Sequence, residues 1–343
     1  MAHIGLLIFI IISLGFLVAH SYFTKGRRIT ITFFLFAFIA AAEKELNSFL
    51  GHEFPVVQHP SPFFFPSGNN LSVIRLFIVI TGWVFVFYLS WYTSEKVLGK
   101  VKSLSNRIFP VVLFAGIVAG CISYAIETTG TSIGWWKWVF KDNRLSMFLV
   151  GKAHFFAVQA WFYFNTHFLA AYFLIECSRY KRSSWKAVFF LVYLIRIYLI
   201  LFFFSFIPRE IEEYVAFSLL ILLAFFSPLA FDLSGIAYPR IHPANLNILD
   251  KIPLVIIMAM SSVLFFLDIF ILRQPVLLFS LAPLFSCVIL TLPTIRLPIF
   301  LILSIILLVI GKAKMMPLAV PVFLLAIFYL LSQLPYFIRP SKR

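Results

Sequence analysis

Stretches of about 20 mostly apolar residues recur along this chain, and they decide what it can fold into. In hydrocarbon a backbone must satisfy its own hydrogen bonds, so a run of that length is read as a membrane-crossing helix. Eleven such stretches are centred near Ile12, Phe38, Phe85, Gly116, Tyr163, Tyr193, Leu222, Ala259, Pro283, Ile305 and Leu324. The pair around Pro283 and Ile305 is broken by Pro293 and Pro298, which marks one member as a candidate re-entrant segment. The predicted fold class is therefore all-α, a polytopic transmembrane helical bundle of about 10–11 spans. No Lys or Arg precedes the first span, so it reads as a retained helix and not as a cleaved signal.

Composition excludes the other broad classes. Charged residues make up 12% of the chain and hydrophobic ones 62%, with a mean hydropathy of +1.01. A soluble domain carries about a quarter charged residues. Disorder and a disulfide scaffold fail on the same numbers. Cys121, Cys177 and Cys287 all sit in or beside apolar runs and read as buried free thiols.

The net charge of +15 reflects topology and anionic headgroups, with no nucleic acid as partner. Seventeen basic residues fall in one set of alternate loops, including Lys25, Arg27, Arg28, Lys96, Arg179 and Arg339. Nine fall in the other set, and Lys44 and Arg196 lie inside spans. That asymmetry predicts an outer N-terminus and a cytoplasmic C-terminus.

Polarity is uneven. Residues 1–206 form a half that carries most of the intramembrane acids, histidines and tryptophans, and the active site is expected there. Residues 207–343 form a more apolar half with no assignable role. The longest connection, about Asn47 to Leu71, is rich in proline and phenylalanine and reads as an ordered interfacial loop.

Ionisable groups at membrane depth cost about 2.5–3.5 kcal/mol each to insert, so each is a functional suspect. Threading the spans places Glu43, Glu45, Glu127 and His154 near the outer side, and Glu95 and Glu176 near the cytoplasmic side. Glu43 and Glu45 are about 200° apart on a helix, so only one can face a given pocket. Glu95 and Glu176 lie close to basic loops and are expected to form interfacial ion pairs. In the fifth span Val158, Trp161, Asn165, Tyr172 and Glu176 all fall within about 40° of His154, whereas Gln159 and His167 point elsewhere. That stripe is either a satisfied polar seam between helices or part of a site. In the third span Thr81, Tyr88, Tyr92 and Glu95 share a face, and Trp83 does not.

Several chemistries drop out. The seven histidines form no HxxxH or HxxHH pair, so a membrane di-iron enzyme lacks ligands and no metal site is predicted. There is no phosphate loop, no GxSxG elbow and no DDxxD-type pair for a prenyl diphosphate.

The run Glu127-Thr-Thr-Gly130-Thr-Ser-Ile-Gly134-Trp135-Trp136-Lys-Trp138 resembles a signature of carotenoid-biosynthesis membrane proteins. These are of the carotenoid 1,2-hydratase type, distantly similar to the small membrane lycopene cyclases. Gly82-Trp83 to Trp91 with Glu95, and Ala42-Glu43-Lys-Glu45-Leu-Asn47, resemble the same group. The segment from Gly151 to Trp161 resembles it loosely, lacking the proline of the family element. The likeness spans about residues 20–180.

The resemblance implies a cofactor-independent enzyme in a prokaryotic cytoplasmic membrane, acting on a long apolar isoprenoid. Such an enzyme protonates a terminal C=C to give a tertiary carbocation. Water then adds, as in a hydratase, or a neighbouring alkene closes a ring. A carboxylic acid in a low-dielectric pocket can stay protonated near neutral pH, and aromatic faces stabilise a nearby cation. On this reading Glu127, Glu45 and His154 are the catalytic candidates. Trp135, Trp136, Trp138, Trp161, Asn165, Trp83 and Tyr88 are the substrate-binding candidates. Two other readings stand beside it. One is a transporter or lipid-handling protein, motivated by Arg196 and the proline-broken late helices. The other is a lipid-linked glycosyltransferase, which would need Glu53.

Overall fold

A computed structural model describes residues 2–49, 56–58, 73–98, 108–132, 137–139, 149–150, 153–177, 251–266 and 284. The described chain is an all-α helical bundle. Its helices are α1 (Ala2–Lys25), α2 (Arg27–Phe49), α3 (Val73–Leu98), α4 (Ile108–Ser132), α5 (Phe155–Cys177) and α6 (Ile252–Phe266). Three segments within them are long and apolar enough to cross a membrane: Ile8–Lys25, Phe77–Leu98 and Ile108–Ser132. The protein is a membrane protein by this measure. Five of the eleven expected spans, those centred near Tyr193, Leu222, Pro283, Ile305 and Leu324, lie outside the described residues.

Cross-helix contacts fix the direction of each helix. Lys25 and Glu95, at the ends of α1 and α3, form an ion pair. Arg28 at the start of α2 pairs with Glu176 at the end of α5, at 2.7 Å. Ser94 near the end of α3 donates to the carbonyl of Val111 near the start of α4, at 2.6 Å. These ends therefore share one end of the bundle. It follows that α1, α3 and α5 run one way and α2 and α4 the other.

The turn from α1 to α2 is a single residue. Gly26 has φ of 88°, the left-handed conformation in which a side chain is strained. Its N–H bonds to Tyr22 O at 3.1 Å and closes α1, while its own carbonyl accepts from Thr30 N at 3.1 Å and opens α2. The Thr30 hydroxyl lies 2.9 Å from Ser21 Oγ and 3.0 Å from Gly26 O, tying both helices to the turn.

The tightest helix pair is α4 with α5. Gly116 and Gly120 are one turn apart on α4, a GxxxG spacing that lets backbones approach closely. A Cβ at Gly116 would fall 2.1 Å from Thr166 Oγ1 and 3.0 Å from the Phe162 ring. At Gly120 the nearest atom to such a Cβ would be Val158 Cγ1 at 3.8 Å. The pair is closed at Gly116 and opens by Gly120.

Helices α3 and α4 are buried along most of their length, whereas α1 is peripheral. The core between α2, α3 and α5 is aromatic: Phe33, Tyr88, Trp91, Phe168, Tyr172 and Phe173 all lie within it. Ile8, Ile12, Phe16 and Phe23 on α1, and Ile31, Leu35 and Phe38 on α2, face outward. An apolar face of that size suits lipid and not water. From the C-terminal half, α6 packs on α1, α3 and α4.

Two short ladders lie beyond the helix ends. β1 (Val56–Gln58) pairs antiparallel with β2 (Lys137–Val139), with Val57 opposite Trp138. β3 (Leu149–Val150) pairs antiparallel with β4 (Ala153–His154), with Leu149 opposite His154. His154 is thus a strand residue immediately before α5, not the first member of that helix's stripe. Cys121 is buried and free, as its apolar setting predicts.

Candidate functional site

At the bundle end opposite the Lys25–Glu95 pair, α2, α3, α4 and α5 each contribute one side chain to a continuous chain of contacts. Trp83 Nε1 on α3 donates to Glu45 Oε1 on α2 at 3.0 Å. Trp161 Nε1 on α5 donates to Glu127 Oε1 on α4 at 3.0 Å. The two indoles stack on each other, centroids 3.9 Å apart and 21° from parallel. Two carboxylates thus flank one indole pair, each held at an N–H edge.

Helix geometry explains the convergence. Side chains on a helix lean toward its N-terminus, so in the antiparallel α4–α5 pair Glu127 and Trp161 lean toward each other. The parallel α3–α5 pair brings Trp83 and Trp161 to one level, with Phe87 and Phe168 stacked further along at 4.2 Å. Glu127 and Trp83 are 3% and 4% exposed, so these bonds form where water screens little.

Lys44 completes the site. Its ammonium is 3.0 Å from Glu45 Oε1, 5.0 Å from the Trp83 ring centroid and 5.8 Å from that of Phe164. An ammonium at this distance is attracted by the ring quadrupole. Of the two acids about 200° apart on α2, Glu45 is the one seated against the indoles. The chemistry available here is a pair of carboxyl groups, aromatic faces and one fixed cation, with Glu127 and Trp83 buried and Glu45 and Lys44 half-buried.

Asn165 lies one turn beyond Trp161 on α5. Ser90 Oγ donates to its Oδ1 at 2.8 Å, and its Nδ2 has no hydrogen-bond partner. The α5 stripe read from the sequence is a seam toward α3, α4 and α2. Trp161 meets Trp83 and Glu127, Asn165 meets Ser90, Tyr172 donates to Ile29 O at 3.5 Å, and Glu176 meets Arg28.

Other candidates fall elsewhere. Tyr88 bonds to His20 Nδ1 at 2.7 Å in a second polar cluster, with Tyr92 edge-on to the same imidazole at 5.3 Å. That cluster lies toward the Lys25–Glu95 end, where the Lys25 ammonium also sits 3.9 Å from the Trp91 ring centroid. Trp138 is in β2, beyond the end of α4, and His154 is in β4. Trp135, Trp136, Glu53 and Arg196 lie outside the described residues. Among the described residues, the indole bonded to Glu127 is that of Trp161 on α5, with Trp83 of α3 stacked on it.

Sequence reasoning passed over His20 and Ser90. His20 had a usable signal, a histidine inside an apolar helix, but no spacing to a second ligand. Ser90 had none, because its role comes from a partner 75 positions away. Among the described residues, no group of His, Cys, Asp and Glu is placed to hold a metal ion. No protein-family model, curated protein or solved structure matches this chain.

Proposed function

We propose that this protein is a multi-pass membrane enzyme of the carotenoid or isoprenoid class that protonates a terminal C=C and adds water to the resulting tertiary carbocation. The observation that carries the reading is the buried Glu127, held by Trp161 and stacked through it on Trp83 and Glu45. An acid and electron-rich ring faces within one dry layer are what cation chemistry needs. The Lys44 ammonium against Trp83, Phe164 and Glu45 supports it further, since that surface already holds one cation.

The steps follow from these groups. The Trp161 indole N–H holds Glu127 at Oε1 and fixes the carboxyl group in place. Glu127 gives its carboxyl proton to the terminal alkene carbon, and the positive charge forms at the tertiary carbon beside it. A water oxygen bonds to the cation, and its surplus proton returns to the Glu127 carboxylate. The sum is addition of one water, with no cofactor consumed. Negative charge on Glu45 and Glu127 at the indole N–H edges enriches the ring faces that meet the cation.

The same proposal orients the chain. Lys25, Arg27, Arg28 and Lys96 cluster at the end away from Glu127, so the positive-inside bias puts the indole site near the outer face of a prokaryotic cytoplasmic membrane.

Expression in a lycopene-producing host, beside a Glu127→Gln variant, tests the reading by chromatography with mass detection. A product heavier by one water, lost in the variant, is the expected result. An isomeric cyclic product would keep the cation chemistry and change how it is quenched. Unchanged lycopene with the protein present in the membrane would overturn the reading in favour of transport or lipid handling.

A further inference from the structure

Hydroxyl groups in this bundle are generally satisfied on their own helix. Thr81, Thr128, Thr131 and Thr166 each donate to the carbonyl four residues back, at 2.6–2.7 Å. Two buried side chains, Ser123 on α4 and Gln159 on α5, are not satisfied in this way. Ser123 is fully buried and its Oγ has no hydrogen-bond partner. Gln159 is 6% exposed, and neither end of its amide is bonded. Buried polar groups left this way are costly, and native interiors satisfy them with protein or with ordered water.

Both groups are close in register to Gly120, where α4 and α5 are in ordinary contact. Ser123 follows Gly120 by three residues and shares an α4 stripe with Gly116, Gly120 and Glu127. Gln159 follows Val158, the residue that faces Gly120. The interface is closed at Gly116 and has a methyl group's clearance at Gly120. Ser123 and Glu127 are four residues apart, so their Cβ atoms are about 5–6 Å from each other.

We propose that Ser123 and Gln159 bind a water molecule beside Gly120, one helical turn from Glu127, and that this water is the nucleophile of the hydration step. The chemistry of the assignment rests on the hydratase reading; the water site itself does not. Ser123 Oγ and Gln159 Oε1 accept the two water protons, which leaves an oxygen lone pair to bond to the carbocation. As the C–O bond forms, the oxonium gives one proton to Ser123 Oγ, and the Ser123 hydroxyl passes its own proton to the Glu127 carboxylate. Atoms and charge balance with no other reactant.

Hydroxyl-radical footprinting of the purified full-length protein in ¹⁸O-water reads the site through the change between wild type and variants, because radicals formed from a bound water label neighbouring side chains. Phe162, which borders Gly120, is the reporter. The expected result is ¹⁸O incorporation at Phe162 in the wild type and its loss in Gln159→Leu and in Gly120→Ala. The second variant fills the clearance without a clash and guards against misfolding. In the lycopene host the same variants should lower the ratio of hydrated to isomeric product about tenfold or more while lycopene is still consumed. No labelling at Phe162, or labelling unchanged in both variants, overturns the water site whatever the activity. Variant-sensitive labelling without any carotenoid conversion upholds the water site and overturns the hydratase reading instead.

Discussion

Replacing Gly116 by alanine should weaken the bundle, whereas the same change at Gly120 should not. Both positions lie in the interior of α4, so both gain the same helix propensity, about 0.8–1 kcal/mol over glycine. They differ in what the new methyl meets. At Gly116 it falls 2.1 Å from Thr166 Oγ1 and 3.0 Å from the Phe162 ring, distances that no rotamer of alanine can relieve. At Gly120 it reaches nothing closer than 3.8 Å, an ordinary contact. Overpacking of this kind costs about 1–3 kcal/mol. If Thr166 rotates to escape, its 2.6 Å bond to Phe162 O is lost as well, which adds about 0.5–1.5 kcal/mol. The two variants should therefore differ by roughly 2–4 kcal/mol. Unfolding in mild detergent by titration with a denaturing detergent, followed by tryptophan fluorescence, measures the difference. Adding Thr166→Ala to Gly116→Ala removes the nearest atom and should recover most of the loss. Equal stability of the two single variants, or no recovery in the double, would refute the close-approach argument.

Three further outcomes are expected. Trp161→Phe keeps an aromatic ring against Trp83 but removes the donor to Glu127; stability should fall by about 1–3 kcal/mol, and hydrated product should fall further than in Trp83→Phe, as pigment analysis would record. Lys25→Met should cost about 3–5 kcal/mol, because Lys25 is 3% exposed and its loss takes the buried cation of the pair from Glu95. Arg28→Met should cost about 0–1 kcal/mol, because Arg28 is 71% exposed, and the same detergent titration compares the two. Single cysteines at Arg27 and at Ser132, each in a background lacking the native cysteines, should react with an impermeant maleimide from opposite sides of the membrane; labelling from one side would contradict the alternation of α1 to α4.

The buried cluster around His20 shows how the two bundle ends divide their work. Lys25–Glu95 and Arg28–Glu176 lash α1 to α3 and α2 to α5 around the one-residue turn at Gly26. Those pairs hold helix ends together, which is what acids close to basic loops are expected to do. The carboxylates at the other end are bound by indoles, with Lys44 as a third partner at Glu45.

The sequence alone determined the helical, membrane-embedded class, because only helices can satisfy twenty apolar residues of backbone in lipid. It also determined the depth of the acids, since depth follows from position along a span. Glu45 and Glu127 were separated from Glu95 and Glu176 on that ground, and the structure places them at opposite ends. What only the tertiary structure decided is azimuth and partner. Tryptophans near Glu127 in sequence, at positions 135, 136 and 138, come after Ser132, the last residue of α4, so proximity along the chain says nothing of the indoles that other helices bring to it. The indole that reaches Glu127 is 34 residues away, and the one stacked on it belongs to a third helix. Helical periodicity says which residues share a face. Which neighbour that face meets is set by the packing of the helices, with Gly116 and Gly120 facing α5 where α4 lies against it.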